Sequence, residues 1–312
     1  IEYSGAQYVA ILTGGSAWGC AHGAVFTRLD EFVPTFARDP WGPKLHEVWR
    51  RPYLPAPRQL KGRALYLVTP EAADNFHHWM VDLLPRIGLA EAAGFAISSF
   101  DHVIVNHAGR RYQMDTLAAL GVDPAKIIQL GSGDRVQPEE LVAPSLKVDN
   151  QAIPLNQANW LRAKFGPEAD VGAGRRIYLS RADAPSRRLL NEPEIFDLLA
   201  RQGFEKVNLS KLSVREQAAL FASASVVAGP SGAAFTNILF CAPGTQVIEF
   251  ASPRWLTVYH WMISARLGLA HTVIVGEGAA PMKNLRIDGR FADLTIELNK
   301  IRRLTTKFTA SA

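Results

Sequence analysis

The sequence predicts an α/β protein: two facing Rossmann-like units preceded by a small β-rich segment. Three observations lead there. From about residue 60 onward, short apolar strand-like runs alternate with amphipathic helical patterns. A Gly-rich break, DVGAGRR (170–176), divides that alternation into two blocks. The 312 residues, 48% hydrophobic, exceed what one ordinary domain needs and suffice for two.

Residues 1–60 hold the strand-like runs VAILTG and GAVFTRL and close on Pro-rich PYLPAPRQL. RALYLVT (63–69) has a buried-strand pattern, and NFHHWMVDLLPR (75–86) reads as one helix. HVIVN (102–106) is a strand, RYQMDTLAALG a helix stopped by Gly121, and KIIQL a short strand. A long helix near 154–166 links the blocks. In the second block RIYLS is a strand and NEPEIFDLLARQG a helix, with Asn191 as N-cap and Glu194 three residues on. SVREQAALFASA repeats that signature with Ser213 and Glu216. SVVAG (225–229) is a strand, and GPSGAAFTNILF a turn running into a helix. TQVIEF (245–250) is the next strand, PRWLTVYHWMISARLG a helix and HTVIVG a last strand. FADLTIELNKIRRL reads as a C-terminal helix. The expected boundaries are a β-rich segment 1–60, an acceptor-side unit 61–153, a linking helix 154–169, a ligand-binding unit 170–280 and a terminal helix 281–312. Such a pair of sheets places a cleft between their carboxyl ends.

Charged residues make up 20% of the chain and the net charge is +5, with no long Lys/Arg block. Wholesale disorder is excluded, and nucleic acid is not the partner expected. Phosphorylated small molecules or an anionic membrane surface suit such a chain equally well. Two distant cysteines, Cys20 and Cys241, exclude a disulfide framework and a cysteine zinc site and fit a reducing, cytoplasmic compartment. No apolar run is long enough to span a bilayer. The chain begins at Ile1 rather than Met, which leaves room for a preceding anchor or signal segment.

Three stretches carry chemistry. In the 75–86 helix, Phe76, Trp79, Met80, Leu83, Leu84 and Ile87 recur at helical spacing as an apolar face. His78, Asp82 and Arg86, each four apart, line a second stripe, while His77 points elsewhere. The plain reading is a solvated His–Asp pair contributing about 0.2–0.5 kcal/mol. The functional reading is an acid/base pair at a cleft edge. A metal site would need a third ligand that the pattern does not supply.

The second stretch is RRIYLSRADAPSRRLLNE (175–192). It puts Arg181, Arg187 and Arg188 in one loop after a strand, where α/β folds bind ligands. Guanidinium forks match pyrophosphate oxygens, though a basic surface loop has the same composition. The third is AGPSGAAFTNILF (228–240), where a strand runs through Ser231, Gly232 and Ala233 into a helix. Its amides make an anion site, or it is simply a tight βα turn. Glu249, ending TQVIEF, either accepts hydrogen bonds from ribose or sugar hydroxyls or orders a loop.

These motifs together resemble the glycosyltransferase 61 family, the group of capsular polysaccharide biosynthesis proteins in bacteria. The resemblance rests on His78-Trp79, Asp82 and Leu84-Pro85-Arg86, then Leu179-Ser180-Arg181, Arg188, Asn191-Glu192 and Gln217. Gly229-Pro230-Ser231-Gly232-Ala233, Thr236-Asn237 and Val247-Ile248-Glu249 follow in order. The family often has His where this chain has Ser231. The resemblance implies a GT-B fold and an inverting, metal-independent transfer from a nucleotide-diphosphate sugar to a glycan or glycolipid hydroxyl, with no cofactor. It implies that the C-terminal unit holds the donor. No Asp-x-Asp pair occurs, which argues against the metal-bound donor site of single-domain glycosyltransferases. Asp82 is then the expected base, with His78 supported by Asp82 as the alternative. Arg181, Arg187, Arg188, Ser231, Gly232, Ala233, Asn237 and Glu249 are the expected donor residues. Contact with the inner membrane surface is a further expectation.

Overall fold

A computed structural model describes residues 7–19, 22–37, 46–146, 153–168, 174–278 and 291–309. Cys20 and most of the Gly-rich break lie outside these residues. The chain divides into two compact units, 1–164 and 165–312.

The first unit is built on seven strands: β1 (Val9–Thr13), β2 (Ser16–Trp18), β3 (Ala24–Phe26), β4 (Arg58–Tyr66), β5 (His102–Ile104), β6 (Ile127–Ile128) and β7 (Arg135–Pro144). Their order is β3-β2-β7-β4-β5-β6, with β1 also on β7. The β7-β4-β5-β6 portion is parallel, as the strand–helix alternation predicts. The first three strands add to it antiparallel, in the same sheet. β4 starts earlier than predicted and ends at Tyr66. Leu67 N–H still donates to Ile104 O of β5 (2.8 Å), and Val68 and Thr69 then lead into the turn before the next helix.

That helix has three consecutive pieces: α1 (Phe76–His78), a π turn (Trp79–Leu83) and α2 (Leu84–Ala92). The Trp79 indole donates to Thr116 Oγ1 (2.9 Å), pinning the helix start to α3 (Arg111–Ala119). Tyr66, Val68, Ile104 and Leu141 close a core on the sheet. α4 (Leu155–Phe165) ends the unit.

The second unit is a five-stranded, wholly parallel sheet of β8 (Arg175–Leu179), β9 (Phe204–Val207), β10 (Ala224–Pro230), β11 (Gln246–Ala251) and β12 (Ala270–Val275). The spatial order is β9-β8-β10-β11-β12. Counted within the unit this is 2-1-3-4-5, a doubly wound order whose direction reverses between β8 and β10. In such sheets that reversal opens a crevice at the carboxyl ends of the two strands. Tyr178, Ile195, Leu199, Phe204, Ile248, Phe250 and Ile301 form the core between the sheet, α5 (Glu192–Ala200) and the last helix. Both units are mixed α/β layers with parallel strands, compatible with a Rossmann-like fold.

Several local expectations meet tertiary competition. α6 (Val214–Ala222) carries the predicted capping box: Ser213 accepts from the Glu216 amide, and Glu216 accepts from Ser213 N–H. Asn191 does not cap α5. Its side chain instead bonds both the amide and the carbonyl of Ile296. Residues 233–240 form a 3-10 helix (Ala233–Phe240), not an α-helix. α7 begins only at Tyr259 (Tyr259–Leu267), after a turn closed by Trp255 N–H on Ser252 O. β13 (Glu277–Gly278) pairs with β14 (Leu294–Thr295), which takes up the start of the predicted C-terminal helix. Leu294 also exchanges backbone hydrogen bonds with Arg188 and Leu190, so α8 starts at Leu298 (Leu298–Thr309). Among the described residues no helix is long and apolar enough to cross a membrane.

Candidate functional site

Each unit presents one cluster of chemically capable side chains. In the first, Asn75 caps the helix by accepting from the His77 amide (2.9 Å). The π turn then closes with Leu84 N–H on Trp79 O, one residue further than α spacing. One inserted residue rotates everything after it by about 100°. Arg86 therefore leaves the stripe predicted for it and turns into the core, 1% exposed. Its guanidinium makes five hydrogen bonds, to Pro144 O twice, Tyr66 O, Val68 O and Thr69 Oγ1. Burial pushes it down to about 10. Arg86 clamps the ends of β4 and β7.

His78 and Asp82 do meet. His78 Nδ1 lies 2.6 Å from Asp82 Oδ2. Its Nε2 lies 2.8 Å from Glu71 Oε2, a residue the periodicity does not single out. Ionised carboxylates only accept, so a ring bonded to two of them donates through both nitrogens and is an imidazolium. Burial opposes that charge, but the hydrogen bonds to Asp82 and Glu71 outweigh it and raise His78 to about 9. In this arrangement no ring lone pair remains to take a proton or hold a metal. Among the described residues no group of His, Cys, Asp or Glu is arranged for a metal ion. His77 is buried, its ring edge-on to His78 at 5.3 Å.

In the second unit the crevice between β8 and β10 collects Arg181, Arg187, Ser231, Gly232 and Glu249. Arg181 follows β8 directly. Its Nη2 donates to Ser186 O (3.1 Å), and its Nη1 fills the space beside Gly232 that a Cβ would need. Arg187 sits on left-handed backbone, φ 56°, a strained conformation for a long side chain. The Nε atoms of both arginines are buried and find no hydrogen-bond partner among the described residues. Burial, then the charge of Arg187, pushes Arg181 down to about 10; burial likewise lowers Arg187, against the pull of Glu249. Two half-buried guanidiniums whose Nε donors are idle are costly unless an anion joins them.

The third arginine points away. Arg188 is exposed and gives Nε, Nη2 and its amide to Asp293 at 3.1, 2.8 and 2.8 Å, so the structure does not bring it to the pair. The Ser231 hydroxyl bonds Glu249, and its amide donates to Phe250 O (2.8 Å). Glu249 is almost wholly buried. His260 Nδ1 stands 2.7 Å from one oxygen and His271 Nε2 3.2 Å from the other. Burial would raise this carboxyl, but the charge and hydrogen bond of His260, then His271 and Ser231, hold it well below the usual carboxylate range. Both Glu249 oxygens are thus engaged, and the residue braces Ser231 and the two histidines. Asn237 Nδ2 donates to Gln217 Oε1 (2.8 Å), which fastens the 3-10 helix to α6. Two ends of the 175–192 stretch also join: Ser180 Oγ donates to Glu192 Oε1 (2.6 Å), and Lys206 sits on the same oxygen at 3.1 Å.

Sequence periodicity passes over Glu71, His260 and His271. Glu71 lies in a turn with no periodic signal, and the two histidines reach Glu249 from an adjacent helix and strand. No curated protein matches the chain at a significant level. The glycosyltransferase 61 family model matches residues 76–248, from the helix bearing His78 and Asp82 to the strand bearing Glu249. That match covers more than half of the 312 residues, and the chain belongs to the glycosyltransferase 61 family.

Proposed function

We propose that the protein transfers a sugar from a nucleotide-diphosphate donor to a hydroxyl of a glycan or glycolipid, inverting the anomeric centre. The observation that supports this best is the half-buried Arg181–Arg187 pair, with buried and idle Nε donors, at the switch point of a doubly wound sheet. A diphosphate supplies the missing negative charge and acceptor oxygens. The second unit then holds the donor and the first carries the acceptor-side base, the division of labour of a GT-B enzyme.

In the reaction the acceptor oxygen attacks the anomeric carbon as the bond from that carbon to the diphosphate oxygen breaks. The bonding pair leaves with the diphosphate, where Arg181 and Arg187 stabilise the developing charge. Asp82 takes the acceptor proton. His78, donating through both nitrogens, holds Asp82 in place and does not itself accept. The two guanidiniums supply positive charge at the leaving group, and the first amides of the 3-10 helix at Gly232 and Ala233 add dipolar stabilisation. Capsule-type surface polysaccharide is the product class this reading favours.

Calorimetry with a panel of nucleoside diphosphates tests the donor site, and transfer assays with anomeric assignment by NMR test the reaction. Arg181→Ala should weaken diphosphate binding at least tenfold. Asp82→Asn should remove transfer while leaving donor binding intact. Unchanged binding in the first variant removes the arginine site. Donor binding without transfer to any acceptor would make the protein a non-catalytic nucleotide-sugar module.

A further inference from the structure

We propose that Glu71 is a positioning residue for the acceptor-side base: by holding Nε2–H of His78 it commits Nδ1–H to Asp82 and balances the charge of the trio. The inference rests on the reading of Asp82 as the group that takes the acceptor proton. Glu71 touches no reacting atom in that scheme and acts through His78.

The backbone is the first argument. Glu71 has φ 62°, left-handed backbone that is unfavourable for a residue with a side chain. Nothing in a simple turn requires Glu there; Gly or Asn would adopt it with less strain. The strain is held from several directions. Thr69 accepts from Arg86, the buried clamp of the first unit. Gln113 on α3 donates to the carbonyls of Ala72 and Ala73. Asp74 is paired with Arg110, which precedes α3. Elements on both sides thus fix the turn, and its carboxylate reaches Nε2 at 2.8 Å as a preset contact.

Charge is the second argument. With both carboxylates ionised, Glu71, imidazolium His78 and Asp82 sum to −1. When Asp82 accepts a proton the trio becomes neutral. Without Glu71, a charged His78 with Asp82 would begin neutral and finish with an unbalanced positive charge, His78 being only 15% exposed. The ring would escape that by losing its own proton, which changes which group is the base. The groups facing His78 are Glu71 from the turn and Asp82 and His77 from its own helix.

The test uses the full chain with labelled histidine. In the wild type, NMR should show both His78 nitrogens protonated up to about pH 9. In Glu71→Gln the titration should fall toward the ordinary histidine value of about 6.5. Transfer should then lose at least tenfold in kcat with donor KM within twofold, and a new limb near that pH should enter the rate profile. Glu71→Gly keeps the readout open if Gln disturbs the turn. Glycine relieves the left-handed backbone while removing the carboxylate, so circular dichroism should show the fold intact while kcat falls as in the Gln variant. An unmoved His78 titration overturns the proposal. So does a moved titration with unchanged kcat and rate profile, which would leave Glu71 a purely structural contact. The titration needs no substrate. Absence of any transfer by the wild type would therefore sink the proposed function while the hold of Glu71 on His78 is still read.

Discussion

Arg181 Nη1 occupies the space that a side chain on Gly232 would need. Gly232 itself is extended, φ 176°, so its backbone suits any residue. Gly232→Ala is thus a steric probe of one guanidinium. The mutant should fold with a Tm within a few degrees of wild type, while Arg181 swings away and nucleoside-diphosphate affinity falls at least tenfold. Gly229 is the control. Its φ is 153°, and an added Cβ would meet the backbone oxygen of Leu179 at 2.6 Å. Gly229→Ala should lower stability itself, by about 2–3 kcal/mol in denaturant titration. If both variants behave alike, Arg181 has no special relation to the ligand.

Arg86→Lys should be severe despite conserving charge. A lysine has three donors on one nitrogen and cannot span the carbonyls of Pro144, Tyr66 and Val68 that the guanidinium bridges. Leaving these acceptors unpaired, with an ammonium buried among them, should destabilise the first unit by about 3 kcal/mol or more. Urea titration followed by circular dichroism measures it. A loss under about 1 kcal/mol would mean water replaces the clamp.

Which parts of this molecule are readable from sequence follows from the range of the forces involved. The alternation of strands and helices is legible because burial imposes a period on each element, and Ser213–Glu216 is legible because a capping box is complete within four residues. The arginine loop is legible as a loop after a strand. Which arginines turn inward is not, because Asp293, 105 residues from Arg188, decides it. The π turn has no periodic signature, so helical spacing extrapolates Arg86 onto a stripe it never joins. The Asn191 side chain finds a β14-side partner in Ile296, and the cap predicted from local sequence gives way. Glu71 and the two histidines on Glu249 arrive through tertiary contacts alone.

Glu249→Gln should uncouple the crevice floor from its histidines. The folded-state carboxyl is held below its ordinary range, so its stabilisation is present above the unfolded carboxylate pKa of about 4.3 and is lost only as pH falls through the depressed folded value. Near neutral pH the substitution should therefore cost about 3 kcal/mol, as expected for losing a buried, multiply hydrogen-bonded carboxylate. Toward pH 3 the wild-type advantage should shrink. Thermal melts of both proteins from pH 3 to 7 measure the difference. A gap that stays constant across that range would mean the carboxylate charge is not what holds the site.

The His78 trio imposes the opposite dependence at high pH. Its folded-state pKa, about 9, lies above the ordinary histidine value of about 6.5. The stabilisation is therefore complete below about 6.5 and declines as pH rises through 9, and it amounts to about 3 kcal/mol. His78→Gln should remove it: the variant should be less stable than wild type at pH 6 and should close most of that gap by pH 10. Activity should follow the same limb, because deprotonating His78 breaks one of the two bonds that fix Asp82 and Glu71. Two profiles read it, the unfolding free energy and kcat, each from pH 6 to 10 for wild type and variant. A wild-type kcat that climbs steadily through pH 9 would show that the neutral ring is the productive form and return His78 to the role of base.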